Sequence, residues 1–249
     1  MKNQIGLFFR FIGRFTLFSI CFSVLLVIVL RWLPVAWTPL MFFREMGDKI
    51  PDDTRVKHEW VSADEMAPSL SLAVVCTEDQ RFLTHHGFDW ESIEEAWEKA
   101  EDGKRTGGAS SISQQTAKNV FCWPTSSFIR KAPETWFTVL IETFWSKDRI
   151  LEVYLNSIEF GPGIYGCEAA SQHFWQKPAK ELTNEQCARL AAVLPNPLEY
   201  KANAKSGYVI RHKNFALQQM ANYGYDIELT RINGKTEDDE DDDSEKSTR

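Results

Sequence analysis

The sequence predicts a mainly α-helical protein preceded by one transmembrane helix. Three observations carry this. A run without a single charge, Phe15 to Leu30, lies near the N-terminus. Several later segments repeat apolar residues at i, i+3, i+4 and i+7, the period of one helix face. No stretch shows the sustained two-residue alternation of a large sheet.

The apolar run is slightly shorter than the ~20 residues that cross a hydrocarbon core. Arg31 can snorkel, however, and Trp32, Leu33, Val35 and Trp37 extend the apolar character into an interfacial belt. Lys2, Arg10 and Arg14 precede the run, and no acidic residue occurs before Glu45. The positive-inside rule then places residues 1–14 in the cytoplasm, makes 15–37 the anchor and exports the body. No small-x-small cleavage site follows Leu30, which favours an anchor over a removed signal peptide.

The body, residues 38–230, is read as one domain. Residues 38–60 carry Pro, Asp and Lys without clear periodicity and read as a connector or mobile subdomain. Pro68 opens a helix with Leu72, Ala73, Val75 and Cys76 as its apolar stripe, and Glu78 and Asp79 close it. A second helix starts at Trp90, with Ile93, Ala96, Trp97 and Ala100 on one face. Asp102 to Gly108 reads as a flexible loop. A third helix begins at Ser110 or Ser111, and a fourth near Pro133 with Phe137, Leu140, Ile141, Phe144 and Trp145 inward. A fifth runs from Lys147 to Asn156 with Ile150, Leu151, Tyr154 and Leu155 inward. Two more helical stretches follow Gly161, Gly163 and Gly166, the second opened by a capping box from Thr183 to Gln186.

Charge and cysteine usage narrow the function classes. The net charge is −7, and the segment from Lys235 onward accounts for −5 of it. The body is thus nearly neutral, without the basic bias of a nucleic-acid binder. Residues 231–249 have almost no apolar content and read as a solvated, disordered acidic tail. Cys21 falls in the anchor, while Cys76, Cys122, Cys167 and Cys187 are scattered without a CxxC pair. That spacing gives metal ligation no support; an oxidising compartment would allow one or two disulfides, and single buried thiols are the favoured reading.

Four polar segments interrupt the apolar helices. Glu78-Asp79 ends one, followed by His85 and Gly87. An adjacent carboxylate pair there could raise one pKa by desolvation and like charge, giving a general base; ordinary surface acids at a helix end would look the same. Gly107-Gly108 then leads into Ser110, Ser111, Gln114, Gln115, Lys118 and Asn119. A glycine turn feeding a helix with hydroxyl caps is a ready anion site, and Ser111, Gln114, Gln115 and Lys118 share a face suited to a phosphate or sugar. A solvated face is the competing reading. Arg130-Lys131 precede a helix with Glu134 in its first turn, which capping alone would explain. The helix from Lys147 to Asn156 reads as packing, with Glu152, Tyr154 and Asn156 as candidates only. Together, isolated carboxylates, several cations and an anion-binding helix on an exported, tethered domain suit displacement of a phosphate-type leaving group by a sugar hydroxyl.

These segments resemble the signatures of glycosyltransferase family 51, the peptidoglycan glycosyltransferases. EDxxFxxHxG is intact from Glu78 to Gly87. GxSTI[ST]QQxxKN runs from Gly108 to Asn119 with Ser111 in place of Thr. RKxxE is Arg130 to Glu134, and KxxILxxYLNxxxxG spans Lys147 to Gly161. A looser fifth element keeps the aromatic pair and lysine at Phe174-Trp175-Gln176-Lys177. Five ordered motifs across about half the chain exclude coincidence. One span, one catalytic domain and no following penicillin-binding domain resemble the monofunctional biosynthetic members.

The resemblance implies a lysozyme-like helical lobe with a small membrane-proximal jaw. It implies polymerisation of lipid II into β-1,4-linked glycan at the outer face of a bacterial inner membrane, with undecaprenyl pyrophosphate released and the anomeric centre inverted. Glu78 would be the base, Lys118 and Arg130 would hold the pyrophosphate, and Glu134 would assist its departure. Ser110, Gln114, Gln115, Asn119 and Lys131 would shape the pocket. The resemblance leaves room for a divalent cation, magnesium or manganese, at Glu134, and implies no organic cofactor. Expected partners are lipid II, the growing glycan, the membrane, and cell-wall synthases and division proteins, but no nucleic acid. Two alternatives stand beside it. One is a membrane-anchored peptidoglycan hydrolase or lytic enzyme with Glu78 as acid; the other is a catalytically silent cell-wall scaffold. Lys118 and Arg130 argue against the first, since a neutral glycan leaving group needs no cations.

Overall fold

The computed structural model describes residues 2–47, 56–101, 110–124 and 128–223. The segments expected as a loop at 102–108, including the Gly107-Gly108 turn, and as an acidic tail at 231–249 lie outside the described residues. Helices dominate, as the periodicities predict, with one small sheet.

Helix α1, Lys2–Leu30, contains one stretch, Gly6–Leu30, long and apolar enough to cross a membrane by length and composition. Most of its side chains are exposed, but Val27 and Ser23 are buried against the rest of the chain. The described parts of residues 38–60, at 38–47 and 56–60, hold more regular structure than their lack of periodicity predicts. Thr38 caps a short helix, α2 (Pro39–Glu45), by accepting the Met41 N–H at 3.2 Å, and Pro39 supplies a preset φ in its first turn. Strand β1, Lys57–His58, pairs in parallel with β3, Ile164–Tyr165, which pairs antiparallel with β2, Glu159–Gly161. The β1–β3 pairing joins residues about a hundred positions apart and leaves no local signature.

Helix α3, Pro68–Glu78, is the spine. Leu70, Leu72, Ala73, Val74, Val75 and Cys76 are all buried, so it is enclosed all round rather than along the single expected stripe. It packs against α9 (Asn184–Val193) and α10 (Gly207–Tyr223). Helix α10 was not foreseen from the sequence; only Val209, Ala216 and Met220 of it are buried, too sparse a pattern to stand out. A second layer joins α5 (Ile112–Phe121) to α6 (Lys131–Phe144) and α7 (Lys147–Ser157). In α7, Ile150, Leu151, Tyr154 and Leu155 point inward as expected, and in α6 Leu140 and Ile141 do, with Trp145 buried beyond its end. The capping box at α9 forms both bonds, Gln186 N–H to Thr183 Oγ1 at 3.3 Å and Thr183 N–H to Gln186 Oε1 at 3.0 Å. Cys76, Cys122, Cys167 and Cys187 are buried and unbridged.

The second expected helix forms, but its apolar face is not buried. Helix α4, Trp90–Glu101, carries the predicted stripe, yet none of its residues is buried, and Trp97 is 69% exposed. Periodicity established that the segment is an amphipathic helix; it could not say whether the lobe has a surface to receive that face.

Two glycines fix the turns that bring motifs together. Gly87 (φ +87°) lets the chain reverse after His85, and Gly166 (φ +81°) opens α8, Cys167–Trp175, where a Cβ would lie 2.8 Å from the Asn156 carbonyl oxygen.

Candidate active site

The site grows from the end of α3. Glu78 is its last residue, and Asp79, the C-cap, turns away from it. The Asp79 carboxylate is buried and accepts the Ile112 backbone N–H at 2.9 Å, in the first turn of α5. It also accepts the His85 Nε2–H, with its two oxygens at 2.9 and 3.0 Å. Because the Gly87 N–H donates to His85 Nδ1 at 3.0 Å, the ring proton belongs on Nε2. The carboxylate thus sits at the positive end of α5 and fastens it to α3.

Two residues of the expected anion site also carry structural bonds. Ser111 is the N-cap: its Oγ accepts the Gln114 N–H at 3.1 Å and donates to the Gly87 carbonyl at 2.6 Å. Gln114 closes the capping box through Oε1 on the Ser111 N–H at 3.1 Å. Ser111 and Gln114 are therefore buried structural groups, not an open polar face, and Gln114 lines neither cleft. The protein's own Asp79 serves the helix terminus where an external anion was expected.

Glu78 remains half-buried on the wall of a cleft of about 430 Å³, with Ser110, Arg81, Phe215 and Tyr223 among its lining residues. Gln115 Nε2 donates to its Oε2 at 3.0 Å and to the Ser110 carbonyl at 3.3 Å. The buried Tyr154 hydroxyl donates to Gln115 Oε1 at 3.1 Å, which orients the amide with its nitrogen toward the carboxylate. Burial pushes the Glu78 carboxyl above the usual range, while the Gln115 bond and the Lys118 charge pull the other way. Asp79 raises it too but is the smallest cause. Desolvation, rather than the expected like-charge pair, dominates because Asp79 is already committed to His85 and α5. No cation among the described residues pairs with Glu78 directly.

Three residues further along α5, Lys118 opens into a second pocket of about 260 Å³ with Asn119, Arg130 and Leu40 of α2. Burial lowers the Lys118 pKa, Glu134 and Glu78 raise it, and Arg130 and Lys131 lower it further. The Asn119 amide nitrogen is buried without a hydrogen-bond partner among the described residues, leaving a donor to spare beside the pocket. Glu134, only 4% exposed, holds the cations in place. Its Oε1 takes Lys131 Nζ at 2.5 Å, and Oε2 lies 3.8 Å from Arg130 Nε.

No group of three or more His, Cys, Asp and Glu able to hold a metal occurs among the described residues. At Glu134 a divalent cation would find one carboxylate, already engaged by two cations. That donor set suits an ion carried in on a phosphate rather than a resident one.

Of the expected site residues, Glu78, Gln115 and Ser110 meet at the larger cleft, and Lys118, Asn119, Arg130, Lys131 and Glu134 cluster at the smaller one. Sequence reasoning undervalued Tyr154 and Asp79. The signal for Tyr154 was a phenol placed in line with Ile150, Leu151 and Leu155 on an otherwise apolar face.

A desolvated carboxylate at the end of α3 faces one cleft and cations face another, with Gln115 and Lys118, three residues apart on α5, serving the two; this equips an enzyme that moves a group between polar substrates. A model of the transglycosylase family matches residues 45–221, and the chain belongs to that family. Relatives described as biosynthetic peptidoglycan transglycosylases share most of its length. That of Bacteroides thetaiotaomicron is 47% identical over 212 residues, covering 85% of this chain and 86% of the relative. That of Pasteurella multocida is 46% identical over 212 residues, covering 84% and 86%. That of Shewanella oneidensis is 44% identical over 233 residues, covering 93% and 94%. The chain is a glycosyltransferase.

Proposed function

We propose that this glycosyltransferase polymerises peptidoglycan glycan strands from lipid II, releasing undecaprenyl pyrophosphate with inversion at the anomeric carbon. The observation that carries the reading is the division of labour along α5. Gln115 holds the neutral-amide bond to Glu78 at 3.0 Å, and Lys118, one turn on, lines the cation pocket with Arg130.

Glu78 removes the proton from the 4-hydroxyl of the acceptor's GlcNAc. That oxygen bonds to C1 of the growing chain's MurNAc from the face opposite the leaving group, and the C1–O bond to the pyrophosphate breaks, converting α to β. Lys118 and Arg130 take the charge that develops on the departing oxygens. Glu134 assists by keeping Arg130 and Lys131 aimed, while Ser110, Gln115 and Asn119 shape the walls. The desolvated Glu78 carboxyl is the stronger base for its raised pKa.

Residues 38–230 form the catalytic domain in this reading, with the anchor at 15–37, the N-terminus cytoplasmic and the body periplasmic. The lipid tail of the substrate then stays in the bilayer while its sugars reach the cleft. Cell-wall synthases and division proteins are its expected neighbours.

Incubation of the full-length protein with fluorescent lipid II in detergent tests this. The expected product is a polymer that a β-1,4-specific muramidase digests, with one polyprenyl pyrophosphate released per bond formed. Cleavage of mature glycan without polymer would replace the transferase with the hydrolase reading.

A further inference from the structure

A membrane helix joined to a domain by a connector could be a loose tether. Here three side chains of the second layer grip one face of α1 at successive turns. Trp136 Nε1 donates to Ser23 Oγ at 3.0 Å, and Trp145 Nε1 donates to the Val27 carbonyl at 2.8 Å. One turn later, Arg149 Nη2 donates to the Leu30 carbonyl at 2.8 Å and the Leu33 carbonyl at 2.5 Å. Ser23, Val27 and Leu30 follow i, i+4, i+7 spacing and so share one side of the helix.

Arg149 is built to stay where it is. It lies with its side chain 12% exposed, and Nη1 pairs with Glu152 Oε2 at 2.5 Å. Its guanidinium carbon is 5.1 Å from the Trp60 ring and 5.9 Å from the Trp145 ring. Glu152 in turn accepts the Ala63 N–H at 3.1 Å, tying in the segment that follows β1. The last carbonyls of a helix lack intrahelical donors and face water poorly where a bilayer begins. A cation placed there satisfies them and complements the helix dipole.

We propose that Arg149 is a positioning residue that locks the membrane helix to the catalytic lobe, setting the height and tilt at which the Lys118–Arg130 pocket meets the bilayer. The lock acts through α6, whose far end carries Trp145 and whose first turn carries Glu134. Its functional consequence rests on the transferase reading, because only a membrane-borne substrate is sensitive to that height.

The test uses the full chain with Arg149→Ala and Arg149→Lys. Two activities are measured: lipid II polymerisation in phospholipid vesicles, and polymerisation of a short-prenyl, water-soluble analogue in detergent. Arg149→Ala is expected to lose about tenfold or more in vesicles, since misplacement of about 1 Å can cost far more, while changing less than about twofold in detergent. Arg149→Lys, which keeps the charge but not the fork, should recover part of the vesicle activity. A direct readout is the spin–spin distance between a label on exposed Cys21 and one placed at Glu185 on α9. It should be narrow in the wild type and broaden in Arg149→Ala. Equal losses on both substrates, or an unchanged distance distribution, would overturn the lock. Should Arg149→Ala fail to fold, Trp145→Phe, which removes the bond to Val27 and keeps the ring, must show the same vesicle-selective loss. A wild type inactive on both substrates would overturn the transferase reading and leave the distance measurement to judge the lock.

Discussion

Replacing Asp79 with Asn isolates the contact on which the site's geometry depends. The carboxylate serves two donors: the Ile112 N–H at 2.9 Å and the His85 Nε2–H, at 2.9 and 3.0 Å from its two oxygens. Asparagine keeps the shape but has one oxygen, and its NH₂ would face the Nε2–H, donor against donor. The variant loses one charge-assisted bond, about 1.5–3 kcal/mol, and the charge that complements the α5 terminus, about 0.3–1 kcal/mol. The sum, about 2–4 kcal/mol, corresponds to a fall in Tm of about 5–15 °C for a chain of this size. Thermal unfolding in detergent, followed by circular dichroism, measures it. Polymerisation well below the new Tm should also fall, because α5 carries Gln115 and Lys118 and loses its tie to the helix that ends in Glu78. A Tm within about 2 °C of wild type would refute the argument that Asp79 is a structural anion rather than a partner of Glu78.

Other expectations follow from the same geometry. Tyr154→Phe frees the Gln115 amide to turn, so Glu78 loses the bond that lowers its carboxyl; the acidic limb of the pH–rate profile should move to higher pH, with activity near its plateau retained. Because burial raises the Glu78 carboxyl above its unfolded value, the folded state binds the proton more tightly, and stability drops as pH rises through that range. Glu78→Gln should therefore have a higher Tm than wild type at neutral pH, the gap closing on acidification; a lower Tm at neutral pH would contradict the desolvation argument. Gly166→Ala places a methyl 2.8 Å from the Asn156 carbonyl oxygen at φ +81°, and should destabilise the fold by more than about 2 kcal/mol, measured by denaturant unfolding.

What the sequence made legible was local. The Thr183–Gln186 capping box lies within four residues and forms as read. The inward faces of α6 and α7 are repeated patterns, and a pattern names its own buried side. Apart from α10, whose buried residues are too sparse to stand out, what was missed involves a partner distant in the chain. The stripe on α4 was real, but among the described residues nothing buries it fully: Ile93 and Ala96 are half-buried and Trp97 is exposed. Ser111 and Gln114 had the spacing of a capping box, yet beside Lys118 they read as a binding face; only the fold shows Gly87 and Asp79 closing over them. Asp79 and Ile112 are 33 positions apart, so the pairing that relieves Asp79 of its role beside Glu78 could not be seen. For Tyr154, the useful clue was chemical: a hydroxyl in line with aliphatic side chains must find a buried acceptor, and Gln115 is that acceptor.

The most direct test of the account is the comparison of wild type with Glu78→Gln in lipid II polymerisation at neutral pH, on protein shown by thermal unfolding to be folded. Gln fits the same space but cannot accept the hydroxyl proton as a base. Loss of general-base catalysis is expected to reduce the rate by about 10²–10⁴-fold, with the variant still folded and at least as stable. A Glu78→Gln protein that polymerises within about tenfold of wild type would contradict the assignment of Glu78 as the base.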